Sequence, residues 1–228
     1  MLKNKALKLA ALSLLFASKA MAQNPDNYYE ETPRTFYGGL IAGANFAQID
    51  GDNYAGYHRV GVNAGGIVYT RFDEHLAASI EILYSQKGSH SNKEQPGVNG
   101  SYIYSYDVRL NYAEVPLQLC YFDRRKSHFG AGISISRLVS VQESGRANLN
   151  SAPPVNFDNY PFKKMDYNFI IGGSLHLVAG LFLNARFQYS IVPIRTGNLQ
   201  NGTGVPPYFA GRGQQFNNMW TVRMMYLF

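Results

Sequence analysis

The residues best suited to act as base, nucleophile or metal ligand are five histidines (His58, His75, His90, His128 and His176) and a single cysteine, Cys120. A serine-type hydrolase needs nucleophile and base within hydrogen-bond reach, with an acid to orient the base. His90 lies between Ser89 and Ser91, but no acid is placed nearby in sequence to orient it. None of the histidines is paired at metal-ligand spacing. One cysteine excludes an internal disulfide framework and a cysteine-based zinc cluster, and within Leu117-Gln-Leu-Cys-Tyr-Phe122 it reads as a packing residue. The spacings G-x-x-x-x-G-K-[ST], H-E-x-x-H and G-x-S-x-G are all missing. Gly38, Gly39 and Gly43 lie within a strand pattern and serve close packing or curvature. The expectation is a non-enzyme with no catalytic, cofactor or metal residues.

The remaining chemistry is ionic. Glu81, Lys87, Asp107, Arg109, Glu114, Arg186 and Arg223 fall on the polar sides of alternating segments. Alternation puts successive side chains on opposite faces of a strand. In 76–87, Ala78, Ile80, Ile82 and Tyr84 oppose Ser79, Glu81, Ser85 and Lys87. In 183–191, Leu183, Ala185, Phe187 and Tyr189 oppose Asn184, Arg186, Gln188 and Ser190. The apolar sides carry aromatics at the strand ends, as an interfacial girdle would, and the polar sides carry full charges. That combination suits a small transmembrane barrel with a packed polar interior, because lipid cannot satisfy an open sheet edge. Charges in a narrow lumen must pair. Matching the ends of the third and fourth segments predicts a Glu81–Arg109 contact. His128 and His176 would meet at one mouth as hydrogen-bonded lumen residues.

Eight segments alternate: 36–48, 57–71, 76–88, 103–122, 128–142, 166–178, 182–192 and 216–228. Most reach the roughly 9–11 residues a tilted strand needs to cross a bilayer. In the fourth, the apolar face is even-numbered through Tyr112 and odd-numbered from Val115, which predicts a β-bulge near Ala113–Glu114. Connections alternate between short (72–75, 123–127, 179–181) and long (49–56, 89–102, 143–165, 193–215). Short turns on one side and long loops on the other are the layout of an outer-membrane barrel with periplasmic turns and termini. The fold class is therefore all-β, an eight-stranded antiparallel up-and-down transmembrane barrel. An eight-stranded barrel is just wide enough for side chains to fill, so no open pore is expected.

Lys3, Lys5 and Lys8, the apolar run Leu9–Ala17 and Ala20-Met-Ala22 form a secretory leader, with cleavage between Ala22 and Gln23. Residues 1–22 are then signal peptide, 23–35 an N-terminal periplasmic segment and 36–228 the barrel domain. The full chain carries +6. Of its 21 Lys and Arg, four lie in the leader, leaving 17 against 15 acids, or +2. No basic excess remains to suggest nucleic acid. Val222, Met224, Tyr226 and the terminal Phe228 alternate toward lipid and resemble the C-terminal signal read by the barrel-assembly machinery.

Gly43-Ala-Asn-Phe-Ala-Gln-Ile-Asp-Gly-Asp52, Tyr54-Ala-Gly-Tyr57, Glu81-Ile-Leu-Tyr-Ser-Gln-Lys-Gly88 and Leu110-Asn-Tyr-Ala-Glu-Val-Pro-Leu117 resemble the PorT-like outer-membrane β-barrel family of Bacteroidota. The resemblance runs over the mature chain and implies a Gram-negative outer-membrane location. It also implies a link to protein secretion as in the founding PorT proteins. Expected partners are outer-membrane lipid, the assembly machinery and a secretion complex or other protein met through the long loops. The leading expectation is a membrane-anchored scaffold or interaction protein with a filled lumen. The alternative is a porin-like passage for small solutes. A lipid-modifying or proteolytic outer-membrane enzyme ranks third.

Overall fold

The computed structural model describes residues 35–52, 54, 56–96, 102–148, 161–196 and 214–228. The signal-cleavage residues Ala22 and Gln23 lie outside them. Eight long strands form the ring: β1 (Phe36–Asp50), β2 (Arg59–Arg71), β3 (Leu76–Ser91), β5 (Tyr102–Phe122), β6 (His128–Asn148), β7 (Met165–Val178), β8 (Leu181–Ser190) and β10 (Gln214–Leu227). Two short pieces, β4 (Gln95–Pro96) and β9 (Arg195–Thr196), pair with β5 and β10. Sequence neighbours pair antiparallel around the sheet, and β1 closes on β10 from Gly39↔Leu227 to Asp50↔Phe216. Closure removes the sheet edge that lipid would leave unsatisfied. Both chain ends of the ring and the tight turns at Phe72–His75, Asp123–Ser127 and Ala179–Gly180 share one end. The strand ends that lead into the longer connections lie at the other.

The outer surface is apolar. Leu40, Val62, Ile82, Leu119 and Phe169 are all exposed, Ile82 most of these at 72%. Facing inward on the same set of strands or their neighbours are Asn45, Asn63, Glu81, Asn168 and Arg186, all buried. A water-soluble fold would reverse this arrangement, whereas a hydrocarbon surround requires it.

Around Ala113 on β5 the polarity of the two faces exchanges with no break in the β3–β5 register. Tyr106, Val108, Leu110 and Tyr112 are buried, as are Glu114, Cys120 and Phe122, so from Tyr106 to Phe122 even-numbered side chains point inward. The β3–β5 ladder keeps one register from Ile80↔Leu117 through Leu83↔Glu114. The bulge expected at Ala113–Glu114 is therefore not on β5. It lies on the neighbouring β6, where Asn111↔Ser140 is followed by Tyr112↔Leu138 and Val139 is left over. What changes along β5 is the surroundings. Near the short turns Val115, Leu117, Leu119 and Tyr121 face outward to lipid. Beyond Ala113 the outward positions are Asn111, Arg109 and Asp107, which suit water, and the apolar residues turn into the lumen.

This corrects two expected lumen residues. Asp107 and Arg109 lie on the outer face, with the Arg109 side chain 53% exposed. The Glu81–Arg109 contact does not form. Arg109 pairs across the ladder with Gly88, well above Glu81. The register error has a definite origin: β3 continues to Ser91, so the hairpin closes further from the membrane than matched segment ends imply. Arg109→Ala should therefore shift the unfolding midpoint by less than about 1 kcal/mol equivalent, as exposed ion pairs do. Urea unfolding in micelles measures it. A cost above about 3 kcal/mol would signal a buried role.

Candidate functional site

The lumen is built in three layers. Near the short turns it is apolar: Tyr37, Ile67, Tyr69, Phe122, Phe182 and Met225 pack together with Cys120. His128 stacks on Phe122 at 4.4 Å between ring centroids, and its Nε2 meets the Tyr69 hydroxyl at 2.8 Å. His176 packs beside Phe182 at 5.0 Å. Cys120 lies 3.9 Å from Ser79 Oγ, inside the apolar layer. Near the long loops the lumen is apolar again, with Tyr54 stacked on Tyr106 at 4.6 Å and Leu110, Tyr112, Phe162 and Ile194 around them.

Between these layers runs an ionic chain of alternating sign. Arg223 grips Glu81 through two bonds, Nη1 to Oε2 at 2.7 Å and Nη2 to Oε1 at 2.6 Å. Glu81 Oε2 also accepts from Arg186 Nη1 at 3.1 Å, and Oε1 accepts from Gln118 at 3.1 Å. Arg186 reaches Glu114 at 3.5 Å, Lys87 Nζ lies 3.2 Å from Glu114, and Lys87 donates to Asp166 at 3.1 Å. Ser134 and Gln188 donate to Glu114, while Ser190 and Asn217 donate to Asp166. The side chains of these three acids and three bases are at most 2% exposed. The charges sum to zero, and β3, β5, β7, β8 and β10 all contribute. Charge-assisted bonds of this kind are among the stronger ones, and the bidentate Arg223 grip adds direction.

Two glycines make the chain possible. Gly172 pairs with Arg186 across the β7–β8 ladder, and a Cβ there would sit 2.5 Å from Arg186 Cβ. Gly43 pairs with Arg223 across β1–β10, and a Cβ there would sit 2.4 Å from Arg223 Cα. Each central arginine therefore crosses the lumen over a position with no side chain.

Of the residues expected in a lumen network, Glu81, Lys87, Glu114, Arg186 and Arg223 come together here, and Asp107 and Arg109 do not. Asp166 was missed, along with Ser134, Gln188 and Asn217. The signal was present, since Asp166 and Asn168 share the inward phase of β7. Val222, Met224, Tyr226 and Phe228 all face outward at the closing strand.

At the long-loop mouth, Asp107 accepts from Arg59 Nη1 at 2.9 Å and from Arg109 Nε at 3.0 Å, and its Oδ1 meets His90 Nδ1 at 2.9 Å. An acid thus does hold His90. Ser89 and Ser91 are buried on the inward face while His90 and Asp107 lie outward, so neither serine is presented to that base. Among the described residues no group of three His, Cys, Asp or Glu could hold a metal.

Asp52, in the first long connection, accepts from the Tyr54 backbone N–H at 2.8 Å. Burial, with the Asp50 charge adding to it, pushes the carboxyl up from 3.8 to about 7. Because the folded value is the higher one, the native state favours the protonated acid. That stabilisation is complete below 3.8 and is lost as pH rises through about 7. Wild type should therefore lose stability between these limits, and Asp52→Asn should flatten the profile. Urea midpoints measured across that range test this. Parallel profiles for the two proteins would contradict it.

A closed antiparallel ring with an apolar exterior and an ionic interior defines a transmembrane β-barrel. Residues 21–195 match the family described as outer membrane protein beta-barrel domain, and the chain belongs to that family. The barrel resides in the outer membrane. Solved structures of similar shape include Ail, the attachment invasion locus protein of Yersinia pestis, at 10% identity and a TM-score of 0.45, covering 86% of this chain and 100% of Ail. Neisserial surface protein A is 12% identical with a TM-score of 0.44, covering 87% and 100%. The outer membrane protein AlkL is 16% identical with a TM-score of 0.37, covering 89% and 95%. None of the curated proteins matches this chain.

Proposed function

We propose that this protein is a non-enzymatic outer-membrane scaffold whose sealed barrel anchors an interaction surface at the long-loop end. The observation that carries this is the fully buried chain from Arg223 to Asp166, held between two apolar layers. Water-filled passages need polar walls that stay wet, and these charges are desolvated by one another. Termini and short turns are periplasmic in this reading, following the loop asymmetry of such barrels. The outward alternation ending at Phe228 supports recognition by the barrel-assembly machinery. The PorT-like motifs favour a protein-secretion assembly as the partner. Proteoliposomes carrying the protein should swell in small sugars or amino acids no faster than empty liposomes. Size-dependent swelling would support the porin-like alternative and overturn the sealed scaffold.

A further inference from the structure

On the outer surface near the short turns, four successive ladder partners lie side by side: Tyr121, Phe129, Gly173 and Ala185, on β5, β6, β7 and β8. Two aromatic rings are followed by two residues with almost no side chain. The result is a groove of about 390 Å³, floored by Gly173 and Ala185, walled by Tyr121 and Phe129 and flanked by Leu175. Gly173 is not demanded by the barrel. A Cβ there would meet His128 O at 3.6 Å, an ordinary contact, whereas one at the adjacent Gly172 would fall 2.5 Å from Arg186 Cβ. The space over Gly173 therefore lies outside the barrel's own packing.

The groove reaches the turn Asp123-Arg-Arg-Lys-Ser127, of which Asp123 and Ser127 line its end. Arg124 and Arg125 are exposed and Lys126 is half-buried. Asp123 shares this space, and its Oδ1 accepts from the Arg124 backbone N–H at 2.7 Å. Three cations against one acid leave the turn at +2. The β7–β8 hairpin that supplies the floor holds His176 and no acid between 173 and 185. Asp73 and Glu74, with Arg71, belong to the β2–β3 side, beyond Tyr121, because β3 pairs with the edge of β5 opposite β6. Phe129 is two residues past Ser127, about 7 Å along the strand. A phosphate at the turn and an acyl chain on the floor thus fit one molecule.

From this joined groove and basic turn, we infer a binding site for an anionic phospholipid of the leaflet at the short-turn end. The phosphate meets the cations of the turn, and one acyl chain fills the space over Gly173 and Ala185. Hydrocarbon surrounds the barrel whichever lipid is present, so the groove contributes close packing and the cations select the headgroup. The site lies outside the lumen and holds whether or not solutes pass.

The test reconstitutes the full-length protein in nanodiscs of phosphatidylcholine and phosphatidylglycerol in equal amounts. The protein is then released into mild detergent and weighed intact by native mass spectrometry. Wild type should retain one phosphatidylglycerol per chain, favoured over phosphatidylcholine by about tenfold or more. Arg124→Gln, Arg125→Gln and Lys126→Gln together should erase that preference. Gly173→Leu and Ala185→Leu, made separately, should each lose most of the retained lipid while keeping the native near-ultraviolet dichroism. If one of them fails to fold, the other carries this arm. Equal retention of both lipids by wild type, an unchanged preference in the glutamine variant, or full retention in a folded leucine variant would each overturn the inference. Glycerol phosphate, which has the charge without the chain, should leave the lipid in place. Its displacing the lipid would mean that the turn binds bare phosphate without the groove, which also overturns the inference.

Discussion

Replacing Glu81 with glutamine should destabilise the barrel by about 3–5 kcal/mol, the usual cost of removing one partner from a buried ion pair. Shape is nearly conserved, so the loss is electrostatic. Arg223 loses the acceptor for its bidentate grip and Arg186 its shorter anionic contact. Arg186 keeps Glu114, but at 3.5 Å and in competition with Lys87. Two arginines then share too little negative charge in a region closed to water. Adding Arg223→Gln should recover part of the loss, because it restores neutrality. Urea unfolding in lipid vesicles gives both values. A single variant within about 1 kcal/mol of wild type would show that water reaches this layer.

At the adjacent residue it is the addition of a charge that should be costly. Ile82 is 72% exposed on the outer face, at the level of the ionic layer. A soluble protein would accept arginine there at almost no cost. In a bilayer, Ile82→Arg should cost about 2–4 kcal/mol, the penalty for a cation on the lipid-facing midplane of a barrel. The penalty should shrink in short-chain detergent, where the head can reach water. Comparing unfolding midpoints in long-chain vesicles and in micelles separates the cases. Equal, negligible costs in both would mean that this band does not face hydrocarbon.

Glu81 and Ile82 also show why so much of the fold could be read from the chain. A period of two with polar and charged residues on one side and aliphatics on the other has few solutions once the loops sort by length, and β3 and β8 follow it most clearly. The strand register was less accessible. It depends on how far β3 and β5 continue beyond the membrane, and alternation alone does not report that. The exchange of polarity on β5 was misread for a related reason. Alternation tells which residues share a face, but the medium outside that face decides which set turns inward. Tyr106 and Leu110 obey water, while Val115 and Leu117 obey lipid. The ionic chain was half legible: its acids and bases lay on inward phases, but the partner of each depends on the cross-lumen level. Hence Glu81 found Arg223 and Arg186, residues distant in sequence and contributed by other strands.

In the proposed scaffold, the described side chains seal the lumen. Single-channel recording in planar bilayers tests it most directly. The protein should insert without producing discrete, reproducible conductance steps, and Glu81→Gln together with Arg223→Gln should at most add flicker. Stable unitary steps from the wild-type protein, scaling with bulk salt conductivity, would contradict the account.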